Sequence, residues 1–342
     1  MFQLALPAKI RSRLGLFARP GDFERLMENG DLGSLYKSIC ALPGFSDLSG
    51  IEDTAVTRVT IGRKLHERHI KMYCRFIPHA TGPTKTLMIA LVRKYDAENI
   101  KEILLGLSRS EKTNCVGIFS TGIYSHIDYT RLLESRTIED AINTLKGSGY
   151  HGALMDAMPA YNDSKNSLIL ERMIDNRWWS IIERRCRLLG VFDSIPAATF
   201  LNIESEVFNI NWIYRAKFLL GLAPEKIPPH LTENRSDQDS KFFEALISSQ
   251  TPQAYYDQLR AGRHARILSK TTEGEISPTV FHVLCQRYLM KRLREMKALF
   301  PFSAMTAISL WKELELETAN LETVCECIFY GKKKEDALKY IF

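Results

Sequence analysis

The chain has 342 residues, of which 45% are hydrophobic and 25% are charged, and its formal net charge is +6. This composition is typical of a globular protein and excludes a disordered or fibrous one. A chain of this length is expected to divide into two or three lobes of about 100–150 residues. Because both signs of charge are interspersed, the sequence lacks the dense basic stripe of a dedicated nucleic-acid-binding protein.

The sequence pattern also excludes a membrane-spanning protein and a secreted protein. The longest apolar stretch, Leu87–Val92, has six residues, whereas a membrane-spanning helix needs about 20, so we expect no direct membrane insertion. The N-terminal segment lacks the order of a signal peptide. The seven cysteines are odd in number and scattered, which favours reduced cysteines of the cytosol over a disulfide framework. They are Cys40, Cys74, Cys115, Cys186, Cys285, Cys325 and Cys327.

In chain order, a helix stop at Glu28–Asp31 is followed by three segments in which apolar residues recur mainly at three- and four-residue steps. Such spacing predicts amphipathic helices, and signals for strands are few. The first set, the weakest, is Ile61, Leu65, Met72, Tyr73 and Phe76. The second is Ile174, Trp178, Ile181, Ile182, Leu188 and Leu189. The third is Phe281, Leu284, Tyr288, Leu289, Leu293, Met296, Leu299 and Phe300.

A short motif occurs three times at nearly constant spacing. In each copy an acid lies three residues before an asparagine, and an aliphatic residue follows the asparagine directly. The pairs are Asp96 and Asn99, Glu206 and Asn209, and Glu317 and Asn320, so the asparagines are 110 and 111 residues apart. Asn99 with Glu102 predicts a capping box at the start of a helix. Gly106, Gly221 and Gly331 lie where glycine would end a short helix. Each motif therefore predicts a helix–corner–helix, and this structural role alone explains its repetition.

A second marker supports a repeat. Turn residues followed by an aromatic residue and then a leucine recur at Phe45, Tyr150 and Tyr256, which are 105 and 106 residues apart. Two markers in the same order at nearly the same period predict three diverged helical repeats. The repeats are residues 1–108, 109–223 and 224–342, with the best linker candidate at Ala223–His230 and the polar residues Thr232–Ser240.

Several patterns resemble chemical sites without meeting their requirements. His66 and His69 are three residues apart rather than the four of a zinc helix, and basic residues flank them, so we expect a solvated helix face. Cys325 and Cys327 point apart on a helix and are expected in or near the core. Neither a phosphate-binding glycine loop nor a nucleophile elbow occurs in the sequence. No catalytic residue, cofactor or metal site is therefore predicted.

Basic residues cluster on two of the predicted helices. Arg184, Arg185 and Arg187 lie on the second helix, and Lys291, Arg292 and Arg294 lie at a similar point on the third. Solvated helix faces with nearby acids are the commonest explanation of such clusters, and a protein docking surface is the next. Nucleic-acid binding would require the basic residues on one face, preferably with exposed aromatic residues.

The repeat markers together resemble the C/AC39 family of V-type and A-type rotary ATPases, whose members are called the C subunit in prokaryotes and the d subunit in eukaryotes. The most specific passage is Glu206–Lys217, in which Glu-x-x-Asn-Ile is followed by Tyr-Arg-x-Lys. The other matching passages are Leu16–Leu26, Lys94–Leu104, Leu170–Asp175 and the ending from Phe300 to Asn320.

The resemblance implies an all-α fold of three similar helical lobes with pseudo-threefold symmetry that form a funnel. It implies a non-catalytic component of the central stalk, on the cytoplasmic face of the membrane. Family members bind the proteolipid ring on one side and the central-shaft D and F subunits on the other. A rotor joint needs a stiff body with two docking faces, and we expect Arg184, Arg185, Arg187, Arg215 and Lys217 to help line one of them.

Two other function classes stay open at this point. A helical-repeat scaffold unrelated to rotary ATPases would bind other proteins, and the genes beside its own would not encode ATPase subunits. An enzyme would instead require a deep pocket with perturbed acids or a bound cofactor.

Overall fold

The computed structural model describes residues 5–52, 55–109, 117–228, 231–232, 237–268 and 276–341. These residues form helices and turns without a β-strand, so the predicted all-α class is confirmed. Cys115 and part of the linker candidate lie outside the described residues. The α-helices are α1 Ala5–Arg11, α2 Pro20–Leu26, α3 Leu32–Cys40, α4 Arg58–Cys74, α5 Gly82–Val92, α6 Lys94–Ser108, α7 Tyr129–Glu134, α8 Ile138–Thr144, α9 His151–Ser164, α10 Leu168–Arg187, α11 Val191–Phe218, α12 Asp237–Ser248, α13 Pro252–Ala261, α14 Pro278–Leu299, α15 Met305–Phe329 and α16 Lys334–Ala337.

The chain forms two compact units, each assembled from separate segments. The first unit comprises Met1–Gly82, Val191–Phe200 and Thr251–Phe342, and the second comprises Pro83–Gly190 and Leu201–Gln250. The division of the chain into three repeats is not tested by these two units and remains a prediction. Within the described residues no helix is long and apolar enough to cross a membrane.

The core of the first unit is built around α15, in which 15 of the 25 residues are buried. Helix α4 packs along α15, and the rings of Tyr73 and Trp311 meet edge to face with 5.0 Å between their centroids. The Tyr73 hydroxyl donates a hydrogen bond to the Ala307 carbonyl oxygen at 3.3 Å. Burial raises the pKa of Tyr73 well above its usual value, so the phenol is neutral and acts as a donor between the two helices.

The core of the second unit is built around α10, which packs against α6 and α9. Ile174, Trp178 and Ile182 recur at four-residue steps and are all buried, because this spacing places them on one face of a helix. The Trp178 indole N–H donates to the Ala90 carbonyl oxygen at 3.1 Å. A buried indole therefore keeps a hydrogen-bond partner.

The three helices predicted from apolar spacing correspond to α4, α10 and α14. All five apolar residues named in the first segment are buried, although their pattern is the weakest. Leu188 and Leu299, expected on apolar faces, are instead exposed. Both lie at the ends of their helices, where periodicity continues but the packing partner does not.

Two of the three predicted glycine stops are confirmed. Gly331 follows α15 with φ +61°; its N–H bonds to the Ile328 carbonyl, and the Lys332 N–H bonds to the Cys327 carbonyl at 2.8 Å. This is the pattern of a Schellman motif. Gly221 follows α11 with the same φ. Gly106 lies inside α6, so its prediction as a stop is wrong.

Candidate docking surfaces

The six residues of the repeated motif lie inside helices. Asp96 and Asn99 are in α6, Glu206 and Asn209 are in α11, and Glu317 and Asn320 are in α15; all six are buried. The prediction that the asparagine begins a helix is therefore wrong. An asparagine at the start of a helix and a buried asparagine inside a helix both bond to backbone groups through the side-chain amide. The sequence does not distinguish these two positions, whereas the tertiary structure does.

Two of the asparagines hold a neighbouring loop by the same pair of hydrogen bonds. The Asn99 side chain donates to the Phe119 carbonyl oxygen at 2.8 Å and accepts from the Phe119 N–H at 2.9 Å. The Asn209 side chain donates to the Thr232 carbonyl oxygen at 3.2 Å and accepts from the Thr232 N–H at 2.9 Å. Each amide satisfies both backbone groups of one loop residue, which is the role of a structural clasp. Thr232, assigned to the linker candidate, is thus a fixed part of the second unit.

The acids of the motif are engaged inside the protein. Asp96 accepts from the Tyr129 hydroxyl at 2.7 Å and from Thr121 at 3.3 Å. Burial raises the pKa of Asp96, while the hydrogen bond from Tyr129 opposes the shift. Burial also raises the pKa of Glu317, against the opposing charge of Arg68 at 2.6 Å. Because both carboxyl groups are buried and bonded internally, neither is placed to exchange protons with a substrate.

The second unit contains a cleft of about 580 Å³ between α10, α11 and α12. Its carboxyl groups are Glu183 and Glu244, and its walls include Trp179 and Phe243. The two perturbed acids of the motif, Asp96 and Glu317, are not among the residues that line it. The two motif acids whose pKa is raised by burial therefore lie outside this cleft.

The histidines and cysteines that resemble metal ligands have structural surroundings. His69 is buried, and its ring lies 4.4 Å from that of Trp311; Arg68 beside it is also buried, so the predicted solvated face is wrong. Cys325 and Cys327 are buried as expected. In the part of the chain that the structure describes, no group of three or more His, Cys, Asp or Glu residues is arranged to hold a metal ion.

Three of the five predicted docking residues lie together in the last turn of α10, which we call the basic end of α10 (Arg184, Arg185 and Arg187). Arg184 and Arg187 are exposed and Arg185 is partly buried. Arg187 pairs with Glu183 at 3.5 Å. The helix dipole favours cations in the last turn of a helix. This local effect explains part of the clustering of arginines at the end of α10.

The other two predicted residues lie in the last turn of α11, a helix of 28 residues. A helix of this length extends about 42 Å, so its last turn is far from its first, which follows directly on α10. Arg215 is exposed, whereas the Lys217 ammonium donates to the Ile247 carbonyl near the end of α12. Burial lowers the pKa of Lys217. The structure does not bring these two residues to the basic end of α10.

The first unit carries a surface that the sequence analysis missed. It consists of five large apolar side chains that are more than half exposed, and we call it the apolar corner: Val191, Phe192, Ile195, Leu299 and Phe302. The carboxylate of Asp193 accepts from the Ala304 N–H at 2.7 Å, which joins the start of α11 to the turn before α15. The Arg11 guanidinium lies 4.9 Å from the centre of the Phe302 ring. Exposed apolar side chains held in a defined arrangement are typical of protein interaction sites.

Comparison with known families decides which kind of protein carries these surfaces. The profile of the ATP synthase (C/AC39) subunit family matches residues 6–340. The chain belongs to this family. The resemblance inferred from the repeated motifs is therefore confirmed.

Several curated relatives are similar to the chain along almost its whole length. The C subunit of the A-type ATP synthase of Methanosphaera stadtmanae is 21% identical over 323 residues, covering 93% of this chain and 81% of the relative. The proteins of the same name from Methanothermobacter thermautotrophicus and Methanocaldococcus jannaschii are each 20% identical. They cover 95% and 96% of this chain and 83% of their own lengths.

Proposed function

We propose that this chain is a non-catalytic coupling subunit of a rotary V/A-type ATPase or ATP synthase. It links the central-shaft D and F subunits to the proteolipid ring and transmits torque for ion transport. It lies on the cytoplasmic face of the membrane as a peripheral part of the complex. The observation that carries the proposal is the family match across residues 6–340, together with relatives named as the C subunit of A-type ATP synthase.

The proposal includes three similar helical lobes arranged as a funnel with pseudo-threefold symmetry. Recurrent contacts support it. Tyr73 and Trp178, which are 105 residues apart in the sequence, each donate from a long helix to an alanine carbonyl. The clasps of Asn99 and Asn209 are a second contact that recurs between the first two predicted repeats. Each of these contacts joins one predicted repeat to another, and diverged copies of one unit would retain such contacts at equivalent positions.

A coupler needs two faces for its partners, and two surfaces are candidates. The basic end of α10 is charged and partly exposed, whereas the apolar corner consists of exposed apolar side chains with Arg11 and Asp193 beside them. Surfaces of such different chemistry suit different partners. We assign one docking role to each.

Affinity purification of the tagged chain from detergent-solubilised membranes tests the function. We expect the shaft subunits and the proteolipid to be identified among the co-purifying chains. The variants Arg185→Glu/Arg187→Glu and Phe192→Asp/Ile195→Asp should each reduce the recovery of one partner. Recovery of the natural chain without any ATPase subunit would exclude the proposed function. Unchanged recovery with a variant would remove that surface from the interface.

A further inference from the structure

Four arginines of the second unit form a basic surface larger than the sequence indicates. We call Arg93, Arg177, Arg184 and Arg185 the basic surface. Arg93 joins α5 to α6, and the other three lie on α10. Arg177 and Arg184 are seven residues apart, so they lie on the same face of the helix.

Two contacts fix Arg93 without a carboxylate. Its Nε donates to the Tyr124 carbonyl oxygen at 2.6 Å, and its Nη2 contacts His126 Nε2. The guanidinium of Arg93 is therefore held in place by these contacts, and the nearby Asp96 attracts its charge without forming a direct ion pair with it.

Arg177 is anchored in the same way, since its Nε donates to the Gly149 carbonyl oxygen at 2.7 Å. The guanidinium groups of Arg93 and Arg177 both lower the pKa of Tyr150, against the burial that raises it. Burial lowers the pKa of Arg93, the nearby Asp96 and Tyr150 oppose this shift, and the nearby Arg185 adds to it. The α5–α6 junction and α10 therefore bring their arginines within electrostatic range of one another.

The carboxylates near this surface are occupied by other partners. Asp96 accepts from Tyr129, Asp175 pairs with Lys101 at 2.9 Å, and Glu183 pairs with Arg187 at 3.5 Å. Among the described residues, no carboxylate oxygen lies within 4 Å of the guanidinium nitrogens of the basic surface. The helix dipole favours Arg184 and Arg185 in the last turn of α10, but it does not extend to Arg177 or account for Arg93.

We propose that the basic surface docks an acidic segment of a partner protein of the complex, in which Asp or Glu side chains pair directly with the guanidinium groups. Guanidinium groups bind carboxylates through two parallel hydrogen bonds, and arginines anchored on carbonyl oxygens are already oriented for such contacts. This inference rests on the proposed function, because it assigns the partner chemistry of one docking face.

Binding of the purified chain to the purified shaft subunits and to the purified proteolipid ring tests the inference, at 50 and 300 mM salt. The variant Arg184→Glu/Arg185→Glu should bind one of the two partners about tenfold or more weakly than the natural chain. The affinity of the natural chain for that partner should fall as salt rises. The matched control is Arg136→Glu/Lys146→Glu, which makes the same charge change at exposed positions of the second unit and should leave affinity unchanged. Arg184→Ala/Arg185→Ala, which introduces no acid, should weaken binding to a smaller extent.

The possible outcomes separate this inference from the proposed function. The natural chain could bind a partner while the basic-surface variants bind it with the same affinity as the control variant. That result would overturn the inference and leave the proposed function intact. Salt-independent binding would have the same meaning. Phosphatidylglycerol vesicles form a further arm: loss of vesicle binding without loss of partner binding would assign the surface to lipid headgroups instead. If the natural chain binds neither the shaft nor the ring, both proposals fail.

Discussion

Arg68 and Glu317 form a buried ion pair, with 2.6 Å between Nη1 and Oε2, although 249 residues separate them in the sequence. Glu317 also accepts from the Ala18 N–H at 2.7 Å. The Arg68 guanidinium lies 3.6 Å from the centre of the Phe45 ring, and its Nε donates to the Gly44 carbonyl oxygen at 3.2 Å. The pair thus joins the N-terminal segment, the turn after α3, helix α4 and helix α15 within the first unit.

Glu317→Ala should lower the free energy of unfolding by about 3–5 kcal/mol, because it leaves the Arg68 charge buried without its partner. The double variant Arg68→Met/Glu317→Leu should recover much of that loss, since no uncompensated charge remains. Chemical denaturation followed by circular dichroism measures both. Glu326→Ala on the same helix is the control: its pair with Arg58 is exposed, so only a small change is expected. A loss from Glu317→Ala no larger than the control's would contradict the structural role of the pair.

Asp96 should make stability depend on pH in a direction opposite to that of an ordinary ion-paired aspartate. Its pKa in the folded protein is raised above 3.8. The folded state therefore holds the proton more tightly than the unfolded state, and this contribution is present at low pH and lost as pH rises through the folded-state pKa. We expect Asp96→Asn, which keeps an acceptor for Tyr129, to become more stable relative to the natural protein as pH rises from about 4 to 7. Melting temperatures of both proteins across this range give the comparison. A constant difference would show that the carboxyl group does not change protonation there.

Asn209→Ala should free the loop that the clasp holds. The variant leaves the buried N–H and carbonyl groups of Thr232 without their side-chain partner, and each unsatisfied group costs about 1–3 kcal/mol. Hydrogen exchange of the Thr232 amide should accelerate. Asn202→Ala, an exposed position on the same helix, provides the matched control and should leave that amide protected. Equal protection in the two variants would mean that the clasp does not hold the loop.

Phe192 and Phe200 lie eight residues apart on α11, yet Phe192 is 81% exposed and Phe200 is 1% exposed. Phe200→Ala should destabilise the protein by about 3–5 kcal/mol through loss of core packing. Phe192→Ser should change the free energy of unfolding by less than about 0.5 kcal/mol. Thermal unfolding of the isolated chain measures both. A large loss of stability from Phe192→Ser would place this ring in the core and remove it from the apolar corner.

Local sequence pattern was sufficient for α4, α10 and α14, but not for the continuous helices α11 and α15, in which it predicted corners, and not for the candidate site. The spacing of Ile174, Trp178 and Ile182 identifies a buried face because the turns of a helix repeat that face wherever the helix lies. The motif around Asn209 is recognisable as a repeat, but its interpretation as a helix start was wrong. The partner of Asn209 is Thr232, 23 residues away, and no local signal identifies such a partner.

The sequence pattern did not predict the apolar corner, for a related reason. Val191, Phe192 and Ile195 follow Gly190 at the start of a helix, and an apolar run at this position ordinarily predicts core residues. Their exposure depends on the absence of a covering element within the described part of the chain. Periodicity describes which residues share a face, and it does not describe what lies over that face.

The sequence by itself therefore determined the helical class, the positions of α4, α10 and α14 and the family, because each depends on residues close together or on motifs in a fixed order. The tertiary structure alone decided which polar residues serve as internal clasps, which apolar residues face outward and which arginines meet. Arg93 and Arg185 are far apart in the chain, and the packing of the second unit brings them into electrostatic range. Long-range electrostatics and exposure depend on distances in space, which separation along the chain does not fix.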